Sequence, residues 1–230
     1  MYKGKRILAV ITARGGSKGV YKKNIRIFAK KPLIAWTIEE GKKSKFIDRL
    51  ILSSEDQEII NIAKRLGCEV PFVRPKELSK DNVRTIESII HAIKTLSEQY
   101  DYVVLLQPTS PLRLAEDIDG CIKKCIDRKA PACVSVNKVR EHPYLMYYLD
   151  DNEFLKPVVK IKNLQSRQRQ ILPDVFIVNG AVYIAEIEWF LKRKDFLSEN
   201  TIAYEMPYER SLDIDTEFDF LYGEFLLSAK

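Results

Sequence analysis

Two groups of residues, far apart in the chain, have the types and spacing for phosphoryl transfer. The first lies between Arg14 and Asn24, where Arg14, Lys18, Lys22 and Lys23 surround Gly15, Gly16 and Gly19. Glycines let backbone N–H groups turn inward around an anion, because no Cβ blocks the turn or the approach. The cations supply the charge that a triphosphate needs. The second group is Asp213-Ile214-Asp215. In an extended segment residues two apart point the same way. Two carboxylates on one side make a hard, oxygen-rich site suited to Mg²⁺. Phosphoryl transfer needs cations on the phosphates, an in-line acceptor and stabilisation of the leaving pyrophosphate. The two groups supply complementary halves of such a site. Each also has a plainer reading. A Gly-rich basic stretch can be an ordinary solvated connection. Residues from Thr216 to Asp219 read as a helix start with acids at its positive end, which explains Glu217 and Asp219 better than Asp213. The Walker A pattern and Gly-x-Gly-x-x-Gly are both absent. No Ser-His-Asp or Cys-His system is visible, so direct displacement is the simpler chemistry.

The elements that would position these residues follow from the apolar pattern. Ile7 to Ile11 is an unbroken β-prone run, as in a strand buried on both faces of a parallel sheet. Strands are also expected at Leu50–Ser54, Glu69–Val73, Tyr102–Leu106, Ala132–Val136, Val175–Ala185 and Thr201–Met206. Between them, helices are expected from Pro32, after Ser54 or Asp56 up to Gly67, over Thr85–Leu96, Glu116–Arg128 and Glu186–Arg193, and at the C-terminus after Asp219. His91 reads as a packed or surface histidine. Alternating strands and helices predict an α/β fold, mainly parallel and doubly wound (Rossmann-like), with ligands at the carboxyl ends of the strands. Residues 1–230 read as one domain. A segment over 140–170 breaks the alternation. Tyr144–Leu149 and Phe154–Val159 flank a polar turn and predict a hairpin that must pack on something else, most naturally a partner subunit. Asn179-Gly180 interrupts a strand, where Gly permits close approach of a ligand.

Composition narrows the classes. The 230 residues are 46% hydrophobic and 30% charged, as in a globular chain with a core of useful size. No apolar run approaches a membrane span and no signal peptide is visible, so a cytoplasmic location is the default expectation. Cys68, Cys121, Cys125 and Cys133 form no Cys-x-x-Cys pair, and only His91 and His142 could join them at zinc. Cys121 and Cys125, one helical turn apart, read as buried packing, and a reducing compartment is expected. The net charge of +6 would suit nucleic acid, but the cations are scattered outside the first loop and Arg167–Arg169, and most aromatics lie in apolar runs. A small polyanion explains both clusters.

Several stretches, in order, resemble the acylneuraminate (CMP-sialic acid synthetase) cytidylyltransferases: Ala13-Arg14-Gly15-Gly16-Ser17-Lys18-Gly19, Lys23-Asn24, Arg74-Pro75-x-Glu-Leu, Leu106-Gln107-Pro-Thr-Ser-Pro-Leu-Arg113, Arg169-Gln170, Asn179-Gly180-Ala-x-Tyr183 and Asp213-Ile-Asp215-Thr-Glu. The resemblance covers nearly the whole chain. It implies transfer of CMP from CTP to a nine-carbon 2-keto sugar acid, with Mg²⁺. Arg14, Lys18, Lys23 and Asp215 would carry the catalysis. Residues 13–18 with Lys23, Asn24, Arg74 and Thr85 would hold the nucleotide, and Gln107, Arg169, Gln170 and Asn179 the sugar. Asp213 and Asp215 would hold the metal. The resemblance further implies a homodimer whose hairpin region reaches the neighbouring site and brings Arg169 with it. Tyr21 replaces a frequent Pro. Leu145 and Ile177 stand where some sialate enzymes carry a basic residue, which leaves room for a less polar sugar such as legionaminate. The Lys18-Gly19 pair fits the sialate and legionaminate branches better than the pseudaminate branch. The related Kdo cytidylyltransferases share the implied fold and chemistry but differ in the first loop. A catalytically silent nucleotide-binding module is the other alternative, against which the intact acids and cations stand.

Overall fold

The computed structural model describes residues 1–17, 19–160 and 172–228. One six-stranded sheet organises the chain. Its strands are β1 (Ile7–Thr12), β4 (Arg49–Ser53), β5 (Tyr102–Leu106), β6 (Ala132–Lys138), β9 (Phe176–Glu186) and β10 (Thr201–Glu205). They lie in the order β10-β6-β9-β5-β1-β4. β1 pairs in parallel with β4 and β5, and β10 with β6. β9 is antiparallel to both its neighbours, β5 and β6. The sheet is therefore mainly parallel, with one reversed strand at its centre. Small pairs complete the β structure: β2 (Ile27–Phe28) with β3 (Lys31–Pro32), and β7 (Tyr147–Leu149) with β8 (Leu155–Pro157).

Side-chain alternation along β1 divides the core in two. Ile7, Ala9 and Ile11 join one cluster with α1 (Leu33–Lys43), α2 (Gln57–Arg65) and α4 (Ala115–Asp127). Leu8 and Val10 join the other with α3 (Thr85–Thr95) and α5 (Ile187–Arg193). A third, smaller cluster unites Val20, Phe28, Leu33, Ile214 and Phe220. It docks the segment after β1 against the start of α6 (Glu217–Ser228), and so brings the two chemical groups together across roughly two hundred residues of sequence.

Local signals explain several boundaries. Asp56 caps α2 by accepting from the N–H groups of Glu58 and Ile59. Gly67 follows that helix with φ of 71°, where a side chain would be strained. Cys121 and Cys125 are free and buried, as expected, and so are Cys68 and Cys133. His91 packs edge-on against Phe72. The strand expected over Glu69–Val73 is reduced to a single bridge between Ile51 and Glu69, because Pro71 has no N–H to continue the ladder. The hairpin expected from Tyr144 starts later, at Tyr147. Pro143 opens a short 3₁₀ turn, which His142 caps by accepting from the Tyr144 N–H. Its described part leaves Tyr148, Leu149, Phe154 and Leu155 exposed. Residues 161–171, which include Arg169 and Gln170, lie outside the described residues, as does Lys18.

Candidate functional site

A cavity of about 580 Å³ opens at the carboxyl ends of β1 and β5. Such crevices bind ligands in open α/β sheets because strand-end loops converge there. Ala13, Arg14, Ser17, Lys23, Asn24, Arg74, Thr85, Gln107, Asp213 and Asp215, all expected from the sequence, line it.

The loop after β1 is held mainly from behind. The Asn24 amide donates to the Arg14 carbonyl at 2.9 Å. Arg74 is buried, and its guanidinium reaches the Ala13 carbonyl at 2.8 Å, Glu55 at 2.7 Å, Ser79 at 2.9 Å and Ser88 at 3.1 Å. Glu55 in turn accepts the Gly15 N–H at 2.9 Å and the Ser79 hydroxyl at 2.7 Å. Burial alone would raise the Glu55 carboxyl, but these donors together hold it below the usual carboxylate value. The glycines have different duties from those expected. The Gly15 N–H faces Glu55 and not the cavity, and a Cβ there would come within 2.3 Å of Asp56. Gly16 has open space around it. A Cβ on Gly19 would lie 2.0 Å from the Asp215 carbonyl, so this glycine lets the loop close on the acidic segment.

The acidic segment behaves as its spacing predicts. Ile214 is fully buried while Asp213 and Asp215 open onto the cavity. The Ile214 N–H is fixed by the Thr109 carbonyl at 2.8 Å. Asp219 accepts from the N–H groups of Asp215 and Thr216 at 3.1 and 2.8 Å, so the helix-start reading holds for that residue. Asp213 opens into a recess whose walls limit its hydration and raise its carboxyl above the usual value. The neighbouring Asp215 charge adds to this, while Thr109 and Lys23 oppose it. The Lys23 ammonium bridges the Ile214 carbonyl at 2.6 Å and Asp215 at 3.1 Å. Arg14 is paired with Asp81 at 2.8 Å across the cavity rim, and Lys22 turns away to Glu58 at 2.6 Å. Among the described residues no cluster of three His, Cys, Asp or Glu side chains could hold a metal. Mg²⁺ does not need one: it typically takes one or two carboxylates and fills its octahedron with water and substrate phosphates. Asp213 and Asp215, both lining the cavity, offer two carboxylates that fit this requirement.

The opposite wall is built from the ends of β5 and β9. Between Val134↔Tyr183 and Val136↔Val178 the register of β6 with β9 shifts, so that β9 bulges over residues 179–182. Asn179 holds the bulge. Its amide oxygen accepts from Ser135 at 2.6 Å and from the Ala181 N–H at 3.2 Å, and its nitrogen donates to Ser211 at 2.9 Å. These bonds commit its polar atoms to the protein, so Asn179 shapes the wall from behind. Gly180, with φ of 77°, approaches side chains: a Cβ there would meet Gln107 Oε1 at 2.8 Å and Asp213 Oδ2 at 3.5 Å. Arg113 lies behind this wall, fully buried, with its pKa brought down to about 10 by burial and partly supported by Asp117 and Glu40. Glu55, Asp81 and the bracing role of Arg113 are the features that sequence reading missed. Only Arg113 left a signal, as the last residue of the 106–113 stretch.

Residues 8–225 match the cytidylyltransferase family. The chain belongs to that family. It is therefore a CTP-dependent nucleotidyltransferase. An N-acylneuraminate cytidylyltransferase of Escherichia coli is 33% identical over 216 residues, 94% of this chain and 50% of that longer protein. A pseudaminic acid cytidylyltransferase of Campylobacter jejuni is 32% identical, covering 95% of both chains. The CMP-N,N'-diacetyllegionaminic acid synthase of Legionella pneumophila is 31% identical, covering 96% of both. The fold is that of solved cytidylyltransferases. A CMP:2-keto-3-deoxy-manno-octonic acid synthetase complexed with CTP superposes with a TM-score of 0.74 over 97% of this chain and 99% of that one, at 12% identity. No helix among the described residues is long and apolar enough to cross a membrane.

Proposed function

We propose that this cytidylyltransferase transfers CMP from CTP to a nine-carbon 2-keto sugar acid of the sialate, legionaminate or pseudaminate type. The acceptor hydroxyl oxygen bonds to the α-phosphorus and releases its proton to solvent, while the bond from that phosphorus to the bridging oxygen breaks and pyrophosphate leaves. The observation that carries the reading is the facing of loop cations and the Asp213/Asp215 pair across one cavity, in a chain whose relatives carry the names of such sugar acid enzymes. Arg14 and Lys23 line the nucleotide side, and Arg14 exchanges Asp81 for the triphosphate on binding. Lys18 joins them on the strength of the resemblance. Thr85 and Asn24 form the cytidine side, and Gln107 faces the acceptor. Mg²⁺ held by Asp213 and Asp215 would neutralise phosphate charge and orient the α-phosphate. Lys23 keeps Asp215 aimed into the cavity and limits repulsion between the two acids.

A homodimer belongs to the same reading. The exposed apolar residues of the hairpin, with Phe218, Leu221 and Phe225 on α6, are what a second copy would cover. Arg169 and Gln170 would come to the acceptor from that region. A cytoplasmic setting, where CTP is available, completes the proposal.

The test is CTP with a panel of N-acetylneuraminate, legionaminate, pseudaminate and 2-keto-3-deoxy-octonate, scored by pyrophosphate release and by the mass of the CMP-sugar. Turnover of at least one nine-carbon acid, well above the eight-carbon one, is expected. Turnover of none of the nine-carbon acids overturns the reading. Light scattering at micromolar concentration should give twice the 26.7 kDa chain mass; a monomer removes the dimer from the proposal.

A further inference from the structure

The Arg113 guanidinium is fully buried, yet among the described residues it forms no ion pair. Removing such a charge from water is costly unless its donors are used in good geometry. Its uses are specific. Nη1 donates to the Ala181 carbonyl at 2.7 Å and to the Gln107 carbonyl at 3.2 Å, and Nη2 donates to the Thr37 hydroxyl at 2.7 Å. That hydroxyl passes its own hydrogen to the Gln107 carbonyl at 3.3 Å, closing a ring of bonds. The β5–β9 ladder ends at Leu106↔Val182. The next carbonyl on each strand, Gln107 on β5's side and Ala181 in the β9 bulge, is the one that Arg113 takes. Those two backbones carry the Gln107 side chain and Gly180, which meet at the cavity wall beside Asp213.

We propose that Arg113 is a positioning residue for the acceptor side of the reaction. It fixes the gap between the end of β5 and the β9 bulge, and thereby the orientation in which Gln107 meets the sugar acid. The inference rests on the sugar acid reading above. The side chain must be arginine because three acceptors on two strands and a helix are spanned by one rigid fork. Lysine offers a point charge, and no neutral side chain carries enough donors. The nucleotide loop is held separately, by Arg74 and Glu55, so loss of the Arg113 brace should reach the sugar and leave CTP alone.

Steady-state kinetics on Arg113→Met and Arg113→Lys, with each substrate varied in turn, test this, alongside thermal melts and CTP binding measured without sugar. For Arg113→Met we expect kcat/KM for the sugar acid to fall roughly tenfold or more, with KM for CTP and CTP binding within about twofold of the parent. Arg113→Lys should recover only part. Thr37→Val removes one side of the bond ring and should shift the sugar parameters in the same direction, by about two- to fivefold, and Thr37→Ser should restore them. A folded Arg113→Met enzyme with unchanged sugar kinetics, or with equal losses for sugar and CTP, overturns the inference. If Arg113→Met does not fold, the Thr37 pair decides it: Thr37→Val without a sugar effect overturns it. A parent enzyme inactive on every sugar acid overturns the function reading and this inference together; an active parent with symmetric losses overturns the inference alone.

Discussion

The two walls of the cavity are each held by a buried arginine, and they are held differently. Arg74 stands behind the loop of β1 with a carboxylate, Glu55, directly against it. Arg113 stands behind the ends of β5 and β9 with carbonyls and a hydroxyl only. Both remove a charge from water. The first is compensated by an opposite charge in direct contact and a shared set of hydrogen bonds, the second by two carbonyls and a hydroxyl, with Asp117 and Glu40 acting only from a distance. A carboxylate partner makes the nucleotide wall strong and sensitive to protons. Carbonyl and hydroxyl partners brace the acceptor wall with no carboxylate hydrogen-bonded to the arginine. The difference suits the walls' duties: one steadies a basic loop that would otherwise repel itself, the other fixes two strand ends.

The largest expected effect tests that contrast on stability. Arg74→Ala leaves Glu55 nearly buried without its cation and strips the Ala13 carbonyl, at a cost of about 3–5 kcal/mol. For a chain of this length that is a fall in Tm of roughly 6–20 °C. Arg113→Met also abandons acceptors but removes a buried charge that no carboxylate touches, so a smaller loss of about 1–3 kcal/mol is expected. Equal losses in parallel thermal melts would erase the distinction between the walls.

Next in size is the junction between the nucleotide wall and the acidic segment. Gly19→Ala sets a methyl 2.0 Å from the Asp215 carbonyl. Backbone and not a flexible side chain stands in the way, so the loop must retreat from Asp215. We expect kcat/KM for CTP to fall at least tenfold, about 1.4 kcal/mol or more, with Tm changed by only a few degrees. Gly16→Ala, with open space around it, is the control and should cost much less. Comparable losses at the two glycines would mean that loop flexibility matters and the close approach does not.

The smallest effect is in the acid limb of stability. The folded chain holds Glu55 below its usual value, so as pH falls the unfolded chain takes up this proton first. The contribution of Glu55 is therefore complete above the unfolded value of about 4.3 and is lost as pH falls through the lower folded value. Urea melts between about pH 6 and pH 3 should show a shallower fall for Glu55→Gln than for the parent. Arg113→Met should keep the parent's slope. A steeper fall for Glu55→Gln would contradict the assigned role of the Arg74–Glu55 pair.

Much of this site was legible from residues alone, and the reason is local. The apolar run of β1 must be buried on both faces. Asp56 and Gly67 set the ends of α2 through bonds and dihedrals that involve only near neighbours. The alternation Asp213-Ile214-Asp215 places Ile214 in the core and both acids on the other side, because extended backbone permits nothing else. Such features depend on residues a few positions apart, and types and spacing determine them. The facing of loop and acid pair was also predictable as chemistry, since cations and carboxylates are the complementary needs of one reaction.

What only the tertiary structure decided are pairings across long separations. No spacing rule joins Arg74 to Glu55 and Ala13, or turns the Gly15 N–H outward to a carboxylate. β9 looks in sequence like any buried strand. Its reversal between β5 and β6 follows from where the chain returns after the 140–170 segment, and a ladder's direction leaves no mark on an apolar run. Asn179-Gly180 reads as an opening for a ligand, yet the bulge it forms faces Gln107 and Asp213, because the register of β6 against β9 places them there. Arg113 shows the limit most plainly. In sequence it ends a proline-fixed loop as one more cation. Its burial, and the two carbonyls it takes, exist only once β5 and β9 lie side by side and their ladder stops one residue short of both acceptors.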